Sequence, residues 1–167
     1  MLIIARSLRE LSFGKLMDVY CEGNLENGSE LWPDEPQGRQ IALAEQEFYN
    51  YLQEVFFRTV NVQYLIWEEK GRYVSALRLE PYRDGLLLEG LETMPEFRRK
   101  GYAAQLVQVA TESVGAVKIY SHVGKHNAVS LRTHEKCGFE KILDYAVYAD
   151  GSVDDRCVTL CHMSTTE

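Results

Sequence analysis

The sequence predicts a mixed α/β fold of the α+β kind, with a mostly antiparallel central sheet flanked by helices. Three observations predict it. Val62 to Trp67 and Tyr73 to Leu79 are rich in β-branched and aromatic residues, and the tight Lys70-Gly71 turn between them implies antiparallel pairing. A strand-like run at 86–93 leads through a basic turn into a helical pattern and then another strand, which implies a parallel crossover. The chain has 167 residues with 46% hydrophobic and 26% charged side chains, which suits one domain spanning 1–167 with a full core.

The elements follow in order. Leu2 to Ala5 reads as a short buried first strand. From about Ser7 to Asn24 the residues Leu8, Leu11, Leu16, Val19 and Tyr20 recur near helical spacing, and Asn27-Gly28 and Trp32-Pro33 are expected to break the helix. A second helix carries Ile41, Ala44, Phe48, Leu52 and Val55 on one stripe. After the first hairpin, Arg83-Asp84-Gly85 turns into a buried central strand, Leu86 to Thr93. A helix from about Gly101 to Val114 buries Ala103, Val107 and Ala110. Lys118 to Val123 is a strand and Asn127 to Cys137 a short helix. Phe139 to Tyr148 and Arg156 to Met163 form an expected final hairpin across Asp150-Gly151.

Composition excludes several functions. The net charge of -7 argues against a general nucleic-acid binder, which needs a basic face to neutralise phosphates. It favours cationic partners such as amines. Cys21, Cys137, Cys157 and Cys161 are irregularly spaced and read as reduced thiols of a cytoplasmic protein. Cys157, Cys161 and His162 lack a second ligand cluster at zinc-like spacing, so no metal is expected. The start, Met1 to Arg6, does not read as a signal peptide, and no apolar run approaches the ~20 residues of a membrane helix.

The chemistry concentrates in Arg98-Arg99-Lys100-Gly101-Tyr102-Ala103, where the central strand meets a helix. The first amides of a helix have no internal partners and sit at its positive end, so they bind phosphate readily. Gly101 lets the backbone approach closely, Ala103 keeps the approach open, and the basic side chains add charge. Such a turn by itself is also what a solvated helix start looks like. A Walker-type loop is excluded because no Gly-Lys-Ser/Thr follows, and the dinucleotide glycine fingerprint is absent.

Its surroundings narrow the choice. Pro95-Glu96-Phe97 followed by Arg-x-x-Gly-x-Ala resembles motif A of the GNAT (GCN5-related N-acetyltransferase) family. Asn127-Ala128-Val129-Ser130 and Glu135-Lys136-Cys137-Gly138-Phe139 resemble that family's next motif, and the match covers roughly residues 86–140. The resemblance implies the acyl-CoA N-acyltransferase fold, with the sheet splayed between strands 4 and 5. It implies acetyl-CoA as the acyl-donor cosubstrate. Its pantetheine arm would lie in the splay along the backbone of Leu91, Glu92, Thr93 and Met94, with Gly90 at a bulge. Arg98 and the amides of Arg99, Lys100, Gly101, Tyr102, Ala103 and Ala104 would hold the pyrophosphate, with Asn127 and Ser130 on the arm. An amide near Leu91 would stabilise the developing oxyanion.

Transfer to an amine needs the amine neutral, so a carboxylate near the thioester is expected to take its proton. Glu89 and Glu92 are the candidates. Glu89 interrupts the apolar run Leu86-Leu87-Leu88. The stretch also resembles aminoglycoside 6'-type acetyltransferases, where a Glu precedes the Gly. Many family members carry a Tyr acid seven residues after the motif Asn. Here that position is His134, whose imidazolium is expected to protonate the leaving sulfur, with a packing histidine as the other reading. Asn127 also reads as a helix cap.

At the acceptor end, Glu22, Glu26, Glu30, Asp34 and Glu35 lie near Tyr20, Trp32 and Tyr49, a combination that suits an organic cation or a solvated loop. The expected activity is acetyl-CoA-dependent N-acetylation of a small-molecule primary amine. A protein or peptide acceptor and a non-catalytic acyl-CoA-binding regulatory domain are the alternatives. The resemblance also carries the expectation of a homodimer.

Overall fold

Residues 1–163 are described by a computed structural model. Strand β1 (Leu2–Ala5) precedes three helices, α1 (Phe13–Val19), α2 (Cys21–Leu31) and α3 (Gln37–Glu54). Strands β2 (Gln63–Glu69), β3 (Arg72–Tyr82) and β4 (Gly85–Thr93) form a meander. Helix α4 (Tyr102–Ser113), strand β5 (Ile119–Gly124) and helix α5 (Ala128–Lys136) follow. Four strands end the described chain: β6 (Glu140–Leu143), β7 (Ala146–Val147), β8 (Val153–Asp154) and β9 (Cys157–His162).

Seven strands pair in the order β1-β2-β3-β4-β5-β9-β6, and every pairing is antiparallel except β4 with β5. The α4 crossover produces the one parallel pair, as its strand–helix–strand pattern requires. Alternation along the strands sorts the core into two layers. Tyr64, Ile66 and Ala76 pack with Leu16 and Val19 of α1 and Leu52 of α3. Leu65, Leu77 and Leu79 pack with Leu106, Val107 and Ala110 of α4 on the other face.

Two expectations are corrected. Asn27-Gly28 does not end a helix; α2 runs through it to Leu31. Gly28 is needed there for packing, because a Cβ would stand 2.6 Å from the Gln40 carbonyl oxygen of α3. The Gln40 side chain in turn donates to the Trp32 carbonyl at 2.9 Å, closing the α2 end. The break falls earlier, at Tyr20, which separates α1 from α2 with φ -95° and ψ 15°. The final hairpin is also not one ladder. Its first arm divides at Asp144-Tyr145, so that β6 pairs with β9 while β7 pairs with β8 in a separate ribbon. Thr159 Oγ1 holds the Tyr145 carbonyl at 2.7 Å, anchoring that break to β9.

Candidate active site

Strands β4 and β5 share only three register pairs, Leu86–Ile119, Leu87–Tyr120 and Leu88–Ser121. Beyond Leu88 they part. The cause lies in β4, where Glu89 faces Arg78 and Glu92 faces Ala76, so Gly90 and Leu91 stand opposite Leu77 alone. This is a β-bulge, and Gly90 takes it with φ +60°, a conformation that favours glycine. Tyr20 Oη donates to the Gly90 carbonyl, and Tyr64 Oη donates to Tyr20 at 2.7 Å, so two buried tyrosines fix the bulge. Between the diverging strands opens a cavity of about 380 Å³, lined among others by Glu89, Leu91, Glu92, Asn127, Ser130 and His134.

The basic turn lies between β4 and α4. Arg99 has φ +62° and Gly101, the residue capping α4, has φ +84°. Left-handed residues just ahead of a helix start turn the backbone so that its first amides can face an anion. The Arg98 amide donates to the Pro95 carbonyl at 3.3 Å, and the next amide with a carbonyl partner is that of Gln105, on Gly101 at 3.0 Å. The amides of Arg99 to Ala104 are therefore unspent at the positive end of a 12-residue helix. The space around Gly101 is open, with nothing within 4 Å of where a Cβ would stand. Arg98 is used differently: Nε donates to the Thr93 carbonyl at 3.0 Å and Nη2 to Glu22 of α2 at 2.6 Å. It braces the turn against α2. Lys100 lies over the Phe97 ring at 5.0 Å. Thr93 and Met94 are buried, Thr93 sharing a hydroxyl contact with Ser75 at 2.9 Å.

The carboxylates sit in unlike surroundings. Glu89 Oε2 is 3.5 Å from Arg78 Nε, with 28% of its side chain exposed. Glu92 is 3.7 Å from Arg98, and burial pushes its pKa up. Glu80, on β3 beside Arg78, is pushed up to about 7 by burial and by the neighbouring Glu89 carboxylate.

His134 is buried, and its tautomer follows from its partners. Nδ1 is 2.8 Å from the Ser130 carbonyl, which only accepts, so Nδ1 carries the hydrogen. Nε2 is then the acceptor, and Ser121 Oγ donates to it at 2.9 Å. Burial pulls the His134 pKa down, which keeps the ring neutral. An imidazolium acid at His134, expected from the sequence, does not suit this environment. The hydroxyl that His134 orients is that of Ser121, which also lines the cavity. Asn127 caps α5, its Oδ1 accepting from the Ser130 amide at 3.1 Å, which leaves its side-chain NH₂ to the cavity.

The splayed parallel pair, the open amide turn and the capping asparagine can be set beside known proteins. The acetyltransferase (GNAT) family profile matches residues 24–139. The chain belongs to this family. The matched stretch contains the bulge, the turn and Asn127. Solved structures share the fold at low identity. The PaiA N-acetyltransferase of Thermoplasma acidophilum, in complex with coenzyme A, is 15% identical with a TM-score of 0.65, over 98% of this chain and 99% of that one. An Escherichia coli ribosomal-protein alanine N-acetyltransferase is 17% identical with a TM-score of 0.60, over 100% and 97%. A spermidine N-acetyltransferase chimera from Vibrio cholerae and hSSAT is 17% identical with a TM-score of 0.59, over 97% and 95%. No curated protein matches the chain in sequence.

As a GNAT acetyltransferase, the protein uses acetyl-CoA as acyl donor. Its residues fit that donor: unpartnered amides for a pyrophosphate, and a gap between strands for an extended arm. Sequence reasoning missed Arg78, Glu80 and Ser121. Arg78 and Glu80 are charged residues two apart on one face of an otherwise apolar strand. That spacing was the available signal.

Proposed function

We propose that this acetyltransferase moves the acetyl group of acetyl-CoA onto the primary amine of a small molecule, by direct attack on the thioester. The observation that carries this reading is the splay cavity. It brings Glu89 and Glu92 to the same opening as the free edge of β4, in a volume of about 380 Å³. That is within the range of small-ligand pockets, about 300–1,000 Å³.

Acetyl-CoA supplies the activated acetyl carbon. The amides of Arg99, Lys100, Gly101, Tyr102, Ala103 and Ala104 hold its pyrophosphate, with Arg98 bracing the turn. The β4 edge at Leu91 and Thr93, the Asn127 amide group and the Ser130 hydroxyl receive the arm, whereas the Met94 amide, expected there too, is spent on the Val74 carbonyl at 2.8 Å. Glu89 draws the incoming ammonium and takes its proton, and Glu92 adds negative potential at the mouth. The amine nitrogen bonds to the acetyl carbon as the carbon–sulfur bond breaks, its electron pair leaving on sulfur, and the proton that nitrogen still sheds passes to the sulfur to give the free thiol. A backbone amide at the Gly90–Leu91 bulge meets the charge that develops on the carbonyl oxygen. Ser121 rests with its one hydroxyl hydrogen on neutral His134 Nε2 and swings it off that nitrogen to meet the departing thiolate. His134 is thus a positioning residue. One structural neighbour is named for spermidine, a small amine, which is in keeping with this reading.

A thiol-release assay with acetyl-CoA against primary amines, amino acids and N-terminal peptides tests the reading. Release with small amines supports it. Release with peptides alone, or coenzyme binding without release, overturns it.

A further inference from the structure

Arg78 is the charged residue of the cavity that the reaction above leaves without a role. It projects from β3 with 17% of its side chain exposed and lines the cavity. The rings of Phe48 and Tyr51 lie 5.8 and 5.4 Å from its guanidinium carbon. Ring contacts engage the face of a guanidinium and leave the N–H edge for an anion. Its ion pair with Glu89, 3.5 Å from Nε, is out of hydrogen-bond line, and Nε is buried with no hydrogen-bond partner. The hydroxyls of Tyr51 and Tyr64 lie within hydrogen-bond reach of the cation and that of Tyr20 lies beside it, but burial raises the pKa of all three, so these partners stay uncharged. With neutral hydroxyls and one misaligned carboxylate as partners, and Nε unspent, the guanidinium calls for an anion.

Its edge also lies at the reacting end of the cavity. A Cβ at Gly90 would fall 2.7 Å from Arg78 Nη1, so the cation rests against the bulge itself. We infer that the acceptor is an amino carboxylate whose carboxylate pairs with the N–H edge of Arg78 while its amine sits between Glu89 and the bulge. This rests on the small-amine reading above and narrows it. The spacing favours a short acceptor. Glu89 and Arg78 are 3.5 Å apart, so the sites for an ammonium and a carboxylate adjoin, as they do in an α- or β-amino acid.

The test compares α- and β-amino acids with their own carboxamides as acceptors, by thiol release with acetyl-CoA, in wild type, Arg78→Gln and Arg78→Lys. The readout is the ratio of kcat/KM for acid over amide within each protein, which cancels any loss of folded enzyme. The carboxamide's less basic amine biases against the expected result. Wild type is expected to favour the free acid about 10- to 100-fold, the worth of a charge-assisted pair. The ratio is expected to fall toward one in Arg78→Gln and to survive in part in Arg78→Lys. Turnover of amines with no preference for the acid, or a preference unchanged in Arg78→Gln, overturns this inference and leaves small-amine acetylation standing. No release with any amine or peptide overturns both.

Discussion

Replacing Gly101 with valine separates damage to the fold from damage to coenzyme binding. Gly101 sits at φ +84° and ψ 4° as the cap of α4. A side chain in the left-handed region costs about 1–2 kcal/mol. No packing clash adds to this, since nothing lies within 4 Å of the Cβ position. For a chain of 167 residues, each kcal/mol lowers the melting temperature by about 2–4 °C, so the fall should be about 2–8 °C. The variant stays folded, because typical stabilities are about 5–15 kcal/mol. Binding should suffer more. The isopropyl group covers the unspent amides of the turn, and each charge-assisted hydrogen bond lost removes about 1.5–3 kcal/mol. Losing one such bond weakens coenzyme A binding by about tenfold or more. Titration calorimetry with coenzyme A, beside thermal unfolding without ligand, reads both quantities. A dissociation constant within about threefold of wild type, with the melting temperature lowered as expected, would refute the assignment of this turn to the pyrophosphate.

Four further outcomes are expected. Glu89→Gln should lower kcat by about 100-fold or more, with coenzyme A affinity unchanged in titration; a wild-type rate and pH profile remove Glu89 from proton transfer. Ser121→Ala should slow thiol release while melting remains cooperative, and an unaltered rate would leave Ser121 and His134 as packing alone. Glu80 has its folded pKa raised to about 7, so the stability it contributes is present below the ordinary carboxyl value and is lost as pH rises through 7. Wild type should therefore lose melting temperature relative to Glu80→Gln between about pH 4.5 and 7.5, and a constant difference would contradict the crowding of Glu80 against Glu89. Gly28→Ala drives a Cβ to 2.6 Å from the Gln40 carbonyl oxygen, so it should cost about 1–3 kcal/mol in unfolding measurements; an unchanged stability would sink the close α2–α3 contact.

What was legible in the sequence was whatever rests on local pattern. The β2–β3–β4 meander showed in its β-branched residues and in the turns at Lys70-Gly71 and Arg83-Asp84-Gly85. The α4 and α5 starts showed in Gly101 and Asn127, each doing a local backbone task. Gly28 misled because its role is tertiary: it is small for the sake of Gln40, twelve residues on in sequence, which meets it only once α3 has docked. The divided last strand was equally hidden, since Thr159 makes the contact that anchors it. In the cavity, residues contiguous on β4 could be named beforehand. Arg78 and Ser121 could not, because neighbouring strands deliver them through register. His134 was placed correctly along the chain, but its charge state depends on burial and on the Ser130 carbonyl, which no spacing reveals.

The sheet order has a consequence for how the site is assembled in time. Strand β5 forms one wall of the cavity, yet it touches β4 over three pairs only, whereas β9 pairs with it from Ile119–His162 to Gly124–Cys157. The last strand in the described chain is thus wedged between two earlier ones, β5 and β6. Until it arrives, the outer half of that wall is an unpaired edge. A chain emerging from its N-terminus can build the β2–β4 meander from near neighbours, but the wall waits for contacts some forty residues apart in sequence, between 119 and 162. Coenzyme A should therefore act late in folding, as a ligand that stabilises a nearly finished sheet rather than as a template for it.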